Sequence, residues 1–180
     1  MMRLSLSLST MALLLYACAP SLTPYTQKLH EKYDWKESDL KKVQFYLSSD
    51  IVLRRKMTEG KAEVVNGDIK IVHGSRYEVI TFRRGTPGVL LFMPKENRMA
   101  ISFEDNIDDT AYLMFGPNPK YGNNYLLLAS DWNEQSGDVT YLGKKWETNT
   151  NSAFAGLLVN LQAIEHQESS VHVAQGRVIK

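Results

Sequence analysis

Tyr77-Glu78-Val79-Ile80-Thr81-Phe82-Arg83-Arg84, then Gly85-Thr86-Pro87-Gly88, then Val89-Leu90-Leu91-Phe92-Met93: two strand-forming runs parted by a glycine- and proline-rich turn decide the fold class of this chain. β-Branched and aromatic side chains suit a pleated, half-buried surface. Glycine and proline end such runs, because one reaches unusual backbone angles and the other lacks an N–H. A third run, residues 99–103, follows the polar turn 95–98. Three runs joined by short turns predict a meander of antiparallel strands.

The same period of two continues outward on both sides. Toward the amino terminus, Ile51, Leu53 and Met57 alternate with Val52, Arg54 and Lys56, as in a strand with one face in the core. Residues 62–65 and 68–72 flank Asn66-Gly67, a pair suited to the type I′ turn of a tight hairpin. Toward the carboxyl terminus, strands are expected at 111–115, 125–129 and 139–146, with surface loops at 104–110 and 116–124. Residues 153–164 are nearly continuously apolar, which fits a buried strand or a helix equally. Val171, Val173 and Val178 suggest a final strand.

About ten short strands in one domain predict an all-β fold, either a barrel or a two-sheet sandwich, since an open sheet of that size leaves exposed edges. Sequential hairpins favour the barrel. Before this region, Tyr25, Leu29 and Tyr33 recur at helical spacing, so a short N-terminal helix is expected to pack on the domain. Residues 38–47 read as a helical turn running into a strand.

Composition narrows the function classes. Of 180 residues, 43% are hydrophobic, which suffices for one packed core and excludes a disordered polymer. The 21 basic residues are matched by 20 acidic ones, so no global positive field favours nucleic acid. The single cysteine excludes an intrachain disulfide framework.

Chemical motifs are sparse. His30, His73, His166 and His172 form no HExxH pair, so neither a metal site nor a bound cofactor is expected, although His166 and His172 are near enough to meet across a hairpin. The acidic run Glu104-Asp105-Asn106-Ile107-Asp108-Asp109 offers oxygen donors without the order of an EF-hand, and reads as a solvated turn. No serine sits in a GxSxG elbow, and no phosphate loop occurs. Arg54-Arg55-Lys56 and Arg83-Arg84 read as solvated strand edges. Tyr121 and Trp132 lie in polar surroundings and are the candidate interface anchors.

The amino terminus differs in kind. Arg3 precedes an uncharged stretch, residues 4–16, which is shorter than the ~20 residues a stable membrane span requires. A basic start and a short apolar middle match a secretory signal. The stretch ends in Leu15-Tyr16-Ala17-Cys18, which resembles the lipobox of bacterial lipoproteins. Tyr16 departs from that pattern, being bulky where a small or β-branched residue is usual. The resemblance implies cleavage before Cys18, a diacylglyceryl thioether on its sulfur and acylation of the freed amine. Cleavage there removes Arg3 and no acid, leaving 20 basic and 20 acidic residues. By the same resemblance, Ala19, where an aspartate is associated with inner-membrane retention, implies the outer membrane, and the lack of an acidic run after Cys18 favours a periplasm-facing location.

The expected organisation is therefore a signal peptide at 1–17, a lipidated tether and short helix at 18–36, and one β-rich domain at 37–180. The expected role is a non-enzymatic binding or assembly subunit of an envelope complex, held to the membrane through lipid on Cys18 and meeting an envelope protein. A lipocalin-like carrier of a small apolar ligand is the alternative, and the packing of the interior distinguishes the two.

Overall fold

The computed structural model describes residues 21–57, 67–72, 75–105, 108–133 and 135–168. In chain order they form β1 (Thr23–Pro24), α1 (Gln27–Tyr33), α2 (Glu37–Leu40), β2 (Phe45–Leu47), β3 (Ile51–Lys56), β4 (Asp68–Val72), β5 (Ser75–Phe82) and β6 (Pro87–Lys95). There follow β7 (Arg98–Ser102), β8 (Leu113–Asn118), β9 (Asn124–Leu127), β10 (Ser136–Tyr141), β11 (Lys144–Asn149), β12 (Leu157–Val159) and α3 (Leu161–Glu168). Short 3-10 turns occupy Pro119–Tyr121 and Thr150–Phe154.

The architecture is an all-β sandwich of two antiparallel sheets with few helices. One sheet has the order β1-β12-β2-β6-β7-β8-β9, and the other β10-β11-β3-β5-β4. Of the two expected architectures the sandwich is the one found, because the chain changes sheets repeatedly instead of adding each strand beside the last. The turn at 83–86 illustrates this. Gly85 has φ 81°, and its N–H donates to Leu47 O at 2.8 Å, carrying the chain from β5 into the facing sheet. β5 pairs with β3 and β4, while β6 pairs with β2 and β7, so the opening stretch of sequence spans the two layers and is not a hairpin. The expected meander is real for β6 through β9. Isolated bridges Thr26↔Asn124 and Leu126↔Gly156 bring the ends of the seven-stranded sheet together without a continuous ladder, so the sheets are not closed into a barrel.

The interior between the sheets is filled by large side chains. Phe82 from one sheet meets Phe103, just beyond β7, with ring centroids 5.7 Å apart, and Phe103 meets Phe115 of β8 at 6.0 Å. Phe82 also packs edge-on against Tyr141 at 5.4 Å, beside fully buried Trp146. Burying each such ring contributes about 2–3 kcal/mol, so this aromatic seam is a main source of cohesion. Ile51 and Leu53 are buried as their alternation requires.

Two further expectations are refined. Residues 139–146 do not form one strand: Leu142 (φ 52°) and Gly143 (φ 64°) turn the chain, and β10 pairs with β11 from Ser136↔Asn149 to Tyr141↔Lys144. A leucine in the left-handed region is tolerated because its side chain packs against the core. The apolar run 153–164 divides into the end of a 3-10 turn, β12 and the start of α3. Residues 62–65, Asn66 and the valines of the proposed last strand lie outside the described residues, as does Cys18. Among the described residues no helix is long and apolar enough to cross a membrane.

Candidate functional site

A groove of about 690 Å³ lies between α1, the segment leading into α2, and the β6–β7 hairpin. Its construction starts at Thr26, whose hydroxyl accepts from Leu29 N at 3.1 Å and starts α1. Asp34 ends the helix in the left-handed region (φ 47°), with its N–H on Glu31 O at 3.2 Å. That reversal returns Trp35 to the body. Trp35 stacks on Tyr33 at 4.6 Å and lies parallel to Tyr25 at 6.1 Å. Tyr25 meets Phe45 at 5.4 Å and Tyr125 at 4.8 Å, both edge-on, so the floor of the groove is an extension of the core.

His30 is set into that floor, only 6% exposed, and its Nδ1 lies 2.7 Å from the Tyr25 hydroxyl. Burial raises the Tyr25 phenol far above its ordinary value, with Tyr125 adding to the effect, so the hydroxyl keeps its proton. The imidazole nitrogen is the stronger acceptor of the two groups, so Tyr25 donates and the neutral ring carries its own proton on Nε2. Burial lowers the His30 pKa, against the opposing pull of Glu96, Glu31 and Asp34. The ring is therefore neutral at pH 7 and lines the groove. Burial likewise pushes the Tyr125 phenol up to about 12, and its hydroxyl donates to Gln27 Oε1 at 2.7 Å.

The walls are charged. Glu37 accepts from Lys41 Nζ at 2.7 Å and from Met93 N at 3.0 Å, which ties α2 to β6. Those bonds, the lysine first, hold its carboxyl below the usual range. Asp34 pairs with Lys36 at 2.7 Å. Glu31 accepts from Gln27 Nε2 at 3.0 Å, and Glu96 and Lys95 close the far wall. A neutral histidine, carboxylates and lysines around an aromatic floor suit the recognition of a polar, charged surface.

The candidate anchors are separate from this groove and from each other. Tyr121 closes the 3-10 turn after β8, is 46% exposed, and stands edge-on to Phe154 at 5.2 Å. Trp132 is 40% exposed and covers Gly137, where a Cβ would come within 2.6 Å of the indole. Phe154, itself 51% exposed, was hidden in the apolar run 153–164.

One reading is corrected. The cluster does not lie on a sheet edge, because β3 is the central strand of its sheet: Arg54 faces solvent, 2.7 Å from Glu147, but Arg55 points inward on the side of Ile51 and Leu53. It pairs with Glu78, opposite it in register and fully buried, and its guanidinium lies 5.1 Å from the Trp146 ring. Alternation places every second residue of β3 inside, and the cluster's charge alone concealed which one. His166 lies on α3, while His73 and His172 fall outside the described residues. Among the described residues no three His, Cys, Asp or Glu side chains form a group able to hold a metal ion. In the acidic run, Glu104 adds to the burial that raises the Tyr141 phenol, and Asp108 caps its own turn through Thr110 N at 3.0 Å.

Comparison with protein-family models, curated proteins and solved structures finds no match to this chain.

Proposed function

We propose that this chain is a lipid-anchored protein of a bacterial envelope, and that its sandwich serves as a non-enzymatic binding subunit, facing the periplasm from the outer membrane. The observation that carries the reading is the single cysteine at the end of Leu15-Tyr16-Ala17-Cys18, where lipoprotein processing needs one. Two or three acyl chains at about 0.8 kcal/mol per buried methylene anchor a protein durably.

The body agrees with a binding role. Its interior is filled by Phe82, Phe103, Phe115, Tyr141 and Trp146, which favours a binding subunit over a carrier with a ligand inside. The groove at His30 lies outside the core and is bordered by side chains of both signs, as a protein partner requires.

Replacement of Cys18 by Ala tests the anchor: the variant is expected in the soluble fraction with no incorporation of labelled fatty acid. Retention of the fatty-acid label by the variant refutes the assignment. The partner-binding face is tested in intact envelopes with a photocrosslinker at Glu31 or Glu96. One common protein product from both positions, absent when the crosslinker replaces Lys145, is expected.

A further inference from the structure

We propose that Tyr121 and Phe154 form an aromatic foot that rests in the interfacial layer of the bilayer holding the anchor. This inference rests on the lipidation of Cys18. The two rings touch edge-on at 5.2 Å, and about half of each side chain is open to solvent. Paired aromatic rings in that state suit the membrane interface, where the apolar ring body meets acyl chains and the tyrosine hydroxyl meets water.

The surroundings have the charge such a contact requires. The turns carrying the pair read Asn118-Pro119-Lys120-Tyr121-Gly122-Asn123 and Asn149-Thr150-Asn151-Ser152-Ala153-Phe154. Neither contains a carboxylate, and the exposed lysine of the first is placed to meet anionic headgroups. A lysine beside aromatic residues is also the arrangement that lets its ammonium stay in water while its stem covers apolar surface.

The chain's path brings the aromatic turns to the segment that follows the tether. Gln27 N donates to Asn123 O at 3.0 Å, two residues from Tyr121, and Tyr125 N donates to Tyr25 O at 3.0 Å. Leu127 N donates to Ala155 O at 2.9 Å, next to Phe154. The segment that enters the fold at Thr23 is thus bonded into the same strand that leads from one aromatic turn and past the other. Cys18 precedes Thr23 by five residues, which span at most about 18 Å when fully extended. The aromatic turns lie toward the Gln27 end of this segment, about 14 Å beyond Thr23 at full extension, so the tether is long enough for a lipid at that cysteine and the aromatic pair to meet one membrane.

The test uses the full chain, extracted with its lipid and reconstituted in vesicles of phosphatidylethanolamine and phosphatidylglycerol containing a headgroup nitroxide lipid. Phe154→Cys and Tyr121→Cys variants are labelled with a thiol-reactive bimane, with Lys145→Cys as the control position. The unsubstituted chain is labelled in parallel. Its only thiol is Cys18, so it stays dark when that sulfur carries lipid. The expected result is a dark unsubstituted chain, with emission at positions 154 and 121 quenched at least twofold more than at 145. Equal quenching at all three positions with a dark unsubstituted chain overturns the foot while leaving the anchor in place. Emission at 154 that is blue-shifted but not quenched also overturns it, showing a protein in place of lipid. Labelling of the unsubstituted chain removes the anchor, and the foot with it.

Discussion

At the scale of single residues, two buried polar groups set the behaviour of the fold. Glu78 is fully enclosed and faces Arg55 across the β3–β5 ladder, with the guanidinium against Trp146. Removing one member of a buried pair is costlier than never having built it, because the remaining charge was desolvated in its partner's presence. Glu78→Ala is therefore expected to destabilise the protein by about 3 kcal/mol, the low end of the range since Arg55 keeps some access to water, as read by urea denaturation. His30 supplies the pH dependence. Its folded pKa lies below the ordinary 6.5, so as pH falls through that value the unfolded chain binds a proton that the folded chain refuses. Stability is thus full above 6.5 and declines as pH drops toward the lowered folded value. The urea midpoint is expected to fall between about pH 7.5 and about pH 5.5, and His30→Gln to flatten that change. An unchanged slope in the variant would place the responsible proton elsewhere. Both residues were visible in the sequence without their roles. Arg55 is one of three adjacent cations; alternation along β3 turns it inward, and the register with β5 supplies Glu78 as its partner.

At the scale of elements, the strands were legible wherever one face is buried and the other wet. Ile51 and Leu53 mark β3 because every second residue enters the core. The β10–β11 turn escaped notice for a physical reason: its left-handed pair is Leu142-Gly143, and a leucine does not advertise positive φ as asparagine does. Gly143→Ala isolates the backbone cost, because a Cβ there meets nothing within 4 Å. The substitution is expected to cost about 1 kcal/mol, measured by the shift in denaturation midpoint, through φ strain alone. No measurable shift would mean that the hairpin relaxes to another turn. The groove was less legible than the strands. The spacing of Tyr25, Leu29 and Tyr33 announces α1, but nothing local shows that the left-handed Asp34 returns Trp35 onto Tyr25 or that the β6–β7 hairpin stands opposite. Pairings between residues so far apart in sequence are settled by packing.

At the scale of the whole molecule, an interior filled with aromatic rings is carried by a chain of formal net charge +1, and the groove and the exposed aromatic pair lie on its outside. The groove at His30 and the Tyr121–Phe154 pair are reached from the same entering segment, Thr23 to Gln27, whose backbone bonds to both Leu157 and Asn123. Under the proposed lipidation of Cys18, the short tether at this entry holds the sandwich close to the membrane through the seven-stranded sheet, to which β1 belongs. The sandwich itself was half legible: short strands in number require two layers or a barrel, but the crossings that choose between them depend on where each turn aims the chain. All of the functional account depends on the state of one sulfur. Intact-mass spectrometry of the protein extracted from membranes reads that state directly. The account predicts a chain beginning at Cys18 and heavier than its sequence by a diacylglyceryl group and an amide-linked acyl chain. A chain of unmodified mass, or one beginning at any other residue, would contradict it.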